Sequence, residues 1–275
     1  MKKILLALTF ISSIFSCEAI WNNGPTQLLK DIFKIMDVSG VETLETAVQQ
    51  SNFRWIRPKG LERWDVYSLL DNTQRVALTK KIKHSSLARE KLPLKKHYDA
   101  LVILGATTAR VKSRIEFFKK LHKQGITFDK IYLLGSTRDL KIGTESDKEM
   151  EKTLEAKNLE ASEMNMINEL WLQARPDSLK NILVVAVQAQ QRPDGTRANT
   201  EDTLKDMMID FVETKGKSIL FISNNPYICY QDAVEKKVLK PYGIAVETVG
   251  EAMTKEETME NVLDTVARCL TNIQK

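Results

Sequence analysis

Hydroxyl, amide and guanidinium side chains gather in four short stretches, residues 105–110, 135–138, 188–201 and 223–227. The first holds Gly105, Thr107, Thr108 and Arg110, and the second Gly135, Ser136 and Arg138. The third holds Arg192, Arg197, Asn199, Thr200 and Glu201, and the fourth Asn224 and Asn225. Glycine turns, arginines and helix N-termini suit an anionic or nucleotide-like ligand, because backbone N–H groups and guanidinium forks present hydrogen-bond donors to oxyanions. Gly105, Thr107, Thr108, Arg110, Gly135, Ser136, Asn199, Thr200 and Asn225 are the candidate ligand-binding residues. Glu145 and Glu201 are the candidate catalytic acids. Asp202 stands beside Glu201, and the dipole of a helix's first turn accounts for acids there without any chemistry.

Several chemistries are excluded. GxGxxG, GxxxxGK[ST] and GxSxG are absent. His84, His97 and His122 lie outside the four stretches and read as surface or packing residues, so a Ser-His-Asp hydrolase is not expected. No cluster has metal-ligand spacing, and no metal site is expected.

The stretches acquire meaning from the elements before them. Residues 100–104, ALVIL, form an apolar run between Asp99 and Gly105 and read as a parallel strand buried on both faces. Thr107 or Thr108 then caps a helix carrying Val111, Ile115, Phe118 and Leu121, with Gly125 as its C-cap. Residues 130–134 are the second strand. Helices follow over about 144–157, opened by Thr144-Glu145-Ser146-Asp147, and over 161–174. Residues 181–187 are the third strand and the strongest, since ILVVAV is β-branched and unbroken. A helix opens at Asn199 or Thr200, with Leu204, Met207, Met208, Phe211 and Val212 on one face. Strands at 217–223 and 244–249 alternate with helices at 227–237 and 254–273. The alternation predicts an α/β fold: a Rossmann-like, doubly wound, mainly parallel five-stranded sheet over 98–275. In such sheets ligands bind at the carboxyl ends of the strands, where all four polar stretches fall.

Residues 20–97 read as a mostly helical accessory region, with helices near 26–37 and 41–50. Phe53, Trp55, Ile56, Trp64, Val66 and Tyr67 cluster around Pro58 and Gly60. They read as a hydrophobic cap on the core, or as the lip of a pocket. Residues 74–97 hold eight lysines and arginines against the single acid Glu90. That run reads as a solvated helix face or linker, with contact to anionic lipid headgroups as the sharper alternative.

The chain has 275 residues and a formal charge of +5, too modest and dispersed an excess to indicate nucleic acid. Residues 1–19 read as a secretory signal peptide: Lys2 and Lys3, then an apolar stretch over 4–15, too short for a spanning helix of roughly 20 residues. Cys17-Glu18-Ala19 fits ordinary cleavage. The alternative reads residues 14–17 as a lipobox with Cys17 lipidated, which the bulk of Phe15 disfavours. The chain is therefore expected to be exported: periplasmic, or membrane-anchored through Cys17. Cys229 and Cys269 would remain after ordinary cleavage. An oxidising compartment permits a bridge, and the simpler reading is two separate buried thiols.

DALVILG with Arg110 or Arg114, IYLLG ending at Gly135, Thr144-Glu145, Arg197-Ala198-Asn199-Thr200-Glu201 and ILFISNN over 219–225 together resemble the SanA/ElyC/YdcF family. This is a bacterial envelope group catalogued as a domain of unknown function. The resemblance covers about residues 98–250. Where the family pattern has a His and then an Arg after the last strand, this chain has Asn225-Pro226-Tyr227 and Tyr230-Gln231. The resemblance implies a Rossmann-like fold, an envelope role and a nucleotide or S-adenosylmethionine type of ligand.

Two functions are expected from these features. The first is an exported protein that binds a small anionic or nucleotide-like envelope metabolite, acting on it as a transferase or hydrolase. The second is a non-catalytic exported adaptor that holds a partner or the membrane through its aromatic and basic N-terminal region.

Overall fold

The computed structural model describes residues 19–58, 61, 69–194, 196–209 and 216–274. Residues 1–18, with the signal peptide and Cys17, lie outside the described residues, as do Gly60, Trp64, Val66, Tyr67, Gly195, Phe211 and Val212. Three helices come first: α1 (Gln27–Ile35), α2 (Leu44–Trp55) and α3 (Asn72–Lys83). Then follow β1 (His97–Leu104), α4 (Thr108–Lys123), β2 (Thr127–Ser136), α5 (Lys148–Ala156), α6 (Glu163–Ala174), β3 (Leu183–Ala189) and α7 (Thr200–Ile209). The chain closes with β4 (Ser218–Asn224), α8 (Ile228–Leu239), β5 (Ala245–Glu251) and α9 (Met259–Gln274). Side-chain caps set several starts. Thr26 accepts from the N–H of Leu29, Asp147 from Met150 and Ser162 from Asn165, each satisfying an end donor that the helix itself cannot.

The five strands are all parallel, in the order β3-β2-β1-β4-β5. This is the Rossmann-like α/β fold. β1 is central and every side chain from Ala100 to Leu104 is buried. Its alternation divides the core. Leu101 and Ile103 face α4, α5 and α6, whereas Ala100, Val102 and Leu104 face α7 and α8.

Three expectations are corrected. The third strand, read as the strongest over 181–187, forms two residues later as β3 and lies at the sheet edge, where Leu183 is 61% exposed. β-branching favours an extended backbone wherever the strand sits. The expected helix over 144–157 starts at Lys148, because Asp147 caps it by accepting from the N–H of Met150 at 2.9 Å, and Glu145 stays in the turn before, accepting from the N–H of Lys141 at 3.1 Å. Cys229 and Cys269 are bonded to each other, joining α8 to α9, and are not separate thiols.

The N-terminal helices share a core with the C-terminal one. Leu29, Ile32, Phe33, Trp55, Leu78 and Ile82 pack with Val262, Leu263, Val266 and Leu270 of α9. The Phe33 and Trp55 rings pack at a tilt of 30° with centroids 4.7 Å apart, while Phe53 is 85% exposed. Part of the basic run is ion-paired to other elements, Arg75 to Glu260 and Lys81 to Asp31, and the run's single acid Glu90 is paired to Lys120. No helix of the described residues is long and apolar enough to cross a membrane.

α8 carries a buried acid behind the sheet. The Glu235 carboxyl accepts from the Thr248 hydroxyl of β5, close to Asp232, which is itself paired with Lys236 at 2.7 Å. Burial pushes Glu235 up to about 8; the Thr248 bond opposes this and Asp232 reinforces it. A raised carboxyl loses stability as pH climbs, because the unfolded chain ionises near its ordinary value while the folded chain stays protonated to about 8. Glu235→Gln is therefore expected to gain stability relative to the native chain between pH 5 and pH 8. Urea midpoints at the two pH values test this, and a gap that does not change with pH would contradict it.

Candidate functional site

A cavity of about 310 Å³ opens at the carboxyl ends of β1 and β2, beside the start of α7. Among the predicted residues, Gly105, Thr107, Arg110, Gly135, Ser136, Glu145, Asn199 and Thr200 line it. Thr108, Asn225 and Glu201 lie outside its lining. Thr108 is buried, and its N–H is spent on the Glu145 carbonyl at 2.8 Å. The Asn225 amide donates to the carbonyls of Ser86 and Arg89, fastening the end of β4 to the segment after α3. Glu201 is held by Lys237 at 2.8 Å and Lys205 at 2.9 Å, and these two cations lower its carboxyl to about 2. The three histidines are also absent from the lining.

The strand-end glycines admit a helix. A Cβ on Gly105 would stand 2.8 Å from the Leu134 carbonyl and 2.9 Å from Glu163 Oε1. One on Gly135 would meet the Ile167 side chain at 3.0 Å. Both glycines let α6 close against the sheet, and this brings Glu163 to the cavity wall. The Asn199-Thr200-Glu201-Asp202 opening is a reciprocal helix cap: Asn199 Oδ1 accepts from the N–H of Asp202 at 3.1 Å, and Asp202 accepts from the N–H of Asn199 at 2.9 Å. Its first job is to start α7 at the cavity.

Arginine dominates the lining. Arg57, Arg110, Arg114, Arg138, Arg197 and Arg268 all contribute, against the carboxylates of Glu145 and Glu163. They differ in how they are held. Arg138 is clamped between both carboxylates, to Glu145 at 2.5 Å and Glu163 at 3.2 Å. Burial works against its charge, but the two glutamates raise it above the ordinary guanidinium value. Ser136 donates to Glu163 at 2.7 Å. Arg114 crosses the point where the strand order reverses, bonding the carbonyls of Leu104 and Gly105 and the Asn224 amide oxygen. It thereby locks the end of β1 to the end of β4. Arg57 and Arg268 share Asp264 of α9, and Arg110 pairs with Glu257 at 2.9 Å. Burial alone would raise the Asp264 carboxyl; Arg268 and Arg57 overcome this and hold it below the usual carboxylate range.

Arg57, Arg268 and Glu163 were not predicted. None follows a strand end, and tertiary packing alone brings them to the cavity. The excess of arginine over acid and the absence of a histidine suit anion binding better than proton transfer. No protein-family model matches the chain, and no curated protein matches it.

Proposed function

We propose that this chain is an exported, envelope-associated α/β protein that binds a small phosphate-bearing ligand in the cavity at the carboxyl ends of β1 and β2. The observation that carries the reading is the set of six lining arginines, which outnumber the four carboxylates paired with them (Glu145, Glu163, Glu257 and Asp264), beside the starts of α4 and α7. The volume, about 310 Å³, is at the lower limit for small-molecule sites and suits one compact ligand better than a dinucleotide. The N-terminal pattern supports export, and so does a buried disulfide, since such bonds persist in oxidising compartments. Binding is the core of the proposal. A transferase or hydrolase step would need Glu145 or Glu163 to leave Arg138 before taking up a proton. Phe53, exposed on α2, is the feature that favours the adaptor alternative.

Thermal-shift screening of the mature chain against nucleotides, S-adenosylmethionine, sugar phosphates and polyprenyl phosphates tests the reading. A ligand at 100 times its Kd should contribute about 2.7 kcal/mol. The shift should vanish in Arg110→Ala. A shift that survives that substitution would remove the cavity from the proposal.

A further inference from the structure

Arg57 and Arg110 are built alike. Each guanidinium spends Nη2 on a nearly buried carboxylate: Arg57 on Asp264 at 2.9 Å, Arg110 on Glu257 at 2.9 Å. Each anchor is fixed in turn. Asp264 also accepts from the backbone N–H of Arg57 at 3.0 Å and from Arg268 at 2.9 Å. Glu257 accepts from the Tyr227 hydroxyl at 2.6 Å and the Asn261 amide at 2.9 Å, and the Tyr227 ring lies 4.7 Å from the Arg110 guanidinium. Among the described residues, no protein acceptor meets Nη1 of Arg57, or Nη1 and Nε of Arg110. Both side chains line the same cavity. A guanidinium anchored at one end and uncommitted at the other is preorganised to take an oxyanion, because its own ordering has already been met by the fold.

We infer that Arg57 and Arg110 together hold the phosphate group of a hydroxyl-rich phosphomonoester, so that the region before β1 supplies part of the binding site. This rests on the phosphate-binding reading above. Arg138 is a poor candidate for that task, since two carboxylates already occupy it. The same two carboxylates, with the Ser136 hydroxyl, give the cavity an acceptor-rich end where ligand hydroxyls can donate. Tyr230 is the sole aromatic side chain in the lining among the described residues, so little is available to stack a nucleobase. Polyol hydroxyls match this wall better than a base does.

Calorimetric titration of the full mature chain with inorganic phosphate and with glucose 1-phosphate tests the assignment. The sugar phosphate should bind at least tenfold more tightly than phosphate. Arg57→Gln should weaken both probes tenfold or more. In that variant Asp264 keeps Arg268 and the backbone N–H, and the melting temperature without ligand reports whether the fold is intact. Arg57→Lys, which leaves a cation beside Asp264 but no fork, should lose comparable affinity and stands in if the glutamine variant unfolds. A folded Arg57 variant with native affinity, alongside an Arg110→Gln variant that has lost binding, would overturn the role of Arg57 and leave the cavity's function standing. Equal affinity for the two probes would overturn the polyol assignment. Failure of the native chain to bind either probe would overturn the phosphate site itself.

Discussion

Reducing the bond between Cys229 and Cys269 is expected to cost the protein about 4 kcal/mol. The bond closes a loop with a sequence separation of 40, and the chain-entropy relation gives roughly that figure for a loop of this length. Domain stabilities commonly run from about 5 to 15 kcal/mol, so the loss is a large share of the total. Both cysteines are buried, so the native state shields the bond from reductant. The clean comparison is therefore the oxidised chain against a chain refolded under reducing conditions, with Cys229→Ala/Cys269→Ala as a second reference. Urea midpoints read the difference, and coincident midpoints would refute it. The effect should reach the cavity as well. Cys229 adjoins Tyr230 and Gln231 on α8, Cys269 adjoins Arg268 on α9, and all three neighbours line the cavity. The reduced chain should bind phosphate more weakly than the oxidised one, even under conditions where both are folded.

The fold was largely legible because its cues are local. An apolar run ending in glycine, then a capped amphipathic helix, repeats along the chain, and parallel pairing follows from the alternation. Strand order is not local. β3 carries three valines yet occupies the edge, because crossovers decide which strand ends up between which neighbours. The cavity was legible to the same extent. Gly105, Arg110, Ser136 and Thr200 reach it directly from strand ends and helix starts. Arg57 and Arg268 reach it only because α2 packs on α9 and both arginines meet at Asp264, a pairing that no spacing in the sequence announces. Asn225 and Glu201 satisfy the strand-end and helix-start rules but are occupied, one by two backbone carbonyls and the other by two lysines. Position along the chain cannot reveal that occupation. The disulfide belongs with these cases, since it depends on α8 and α9 lying side by side.

Arg138→Met should destabilise the protein by about 3 to 5 kcal/mol, the range expected when one partner of a buried ion pair is removed. Arg138, Glu145 and Glu163 have side-chain exposures of 10%, 4% and 9%, so cavity water replaces only part of what the guanidinium supplies. Two carboxylates would be left together, supported among the described residues by the Lys141 N–H and the Ser136 hydroxyl. Arg138→Lys should recover part of the loss, because a single ammonium restores the charge but cannot reach two carboxylates with a fixed fork. Adding Glu145→Gln to Arg138→Met should recover part by a different route, by removing one of the two charges. Urea midpoints of the three variants separate these contributions, and a native midpoint for Arg138→Met would show that the carboxylates are adequately solvated. The cost should extend beyond stability. Glu163 lies against Gly105, so near that a Cβ there would touch its carboxylate. A displaced Glu163 presses on the turn between β1 and α4, the same turn from which Arg110 enters the cavity. Phosphate binding should therefore fall in Arg138→Met even though Arg138 is engaged by two carboxylates, and the loss should be smaller in the variant that also carries Glu145→Gln.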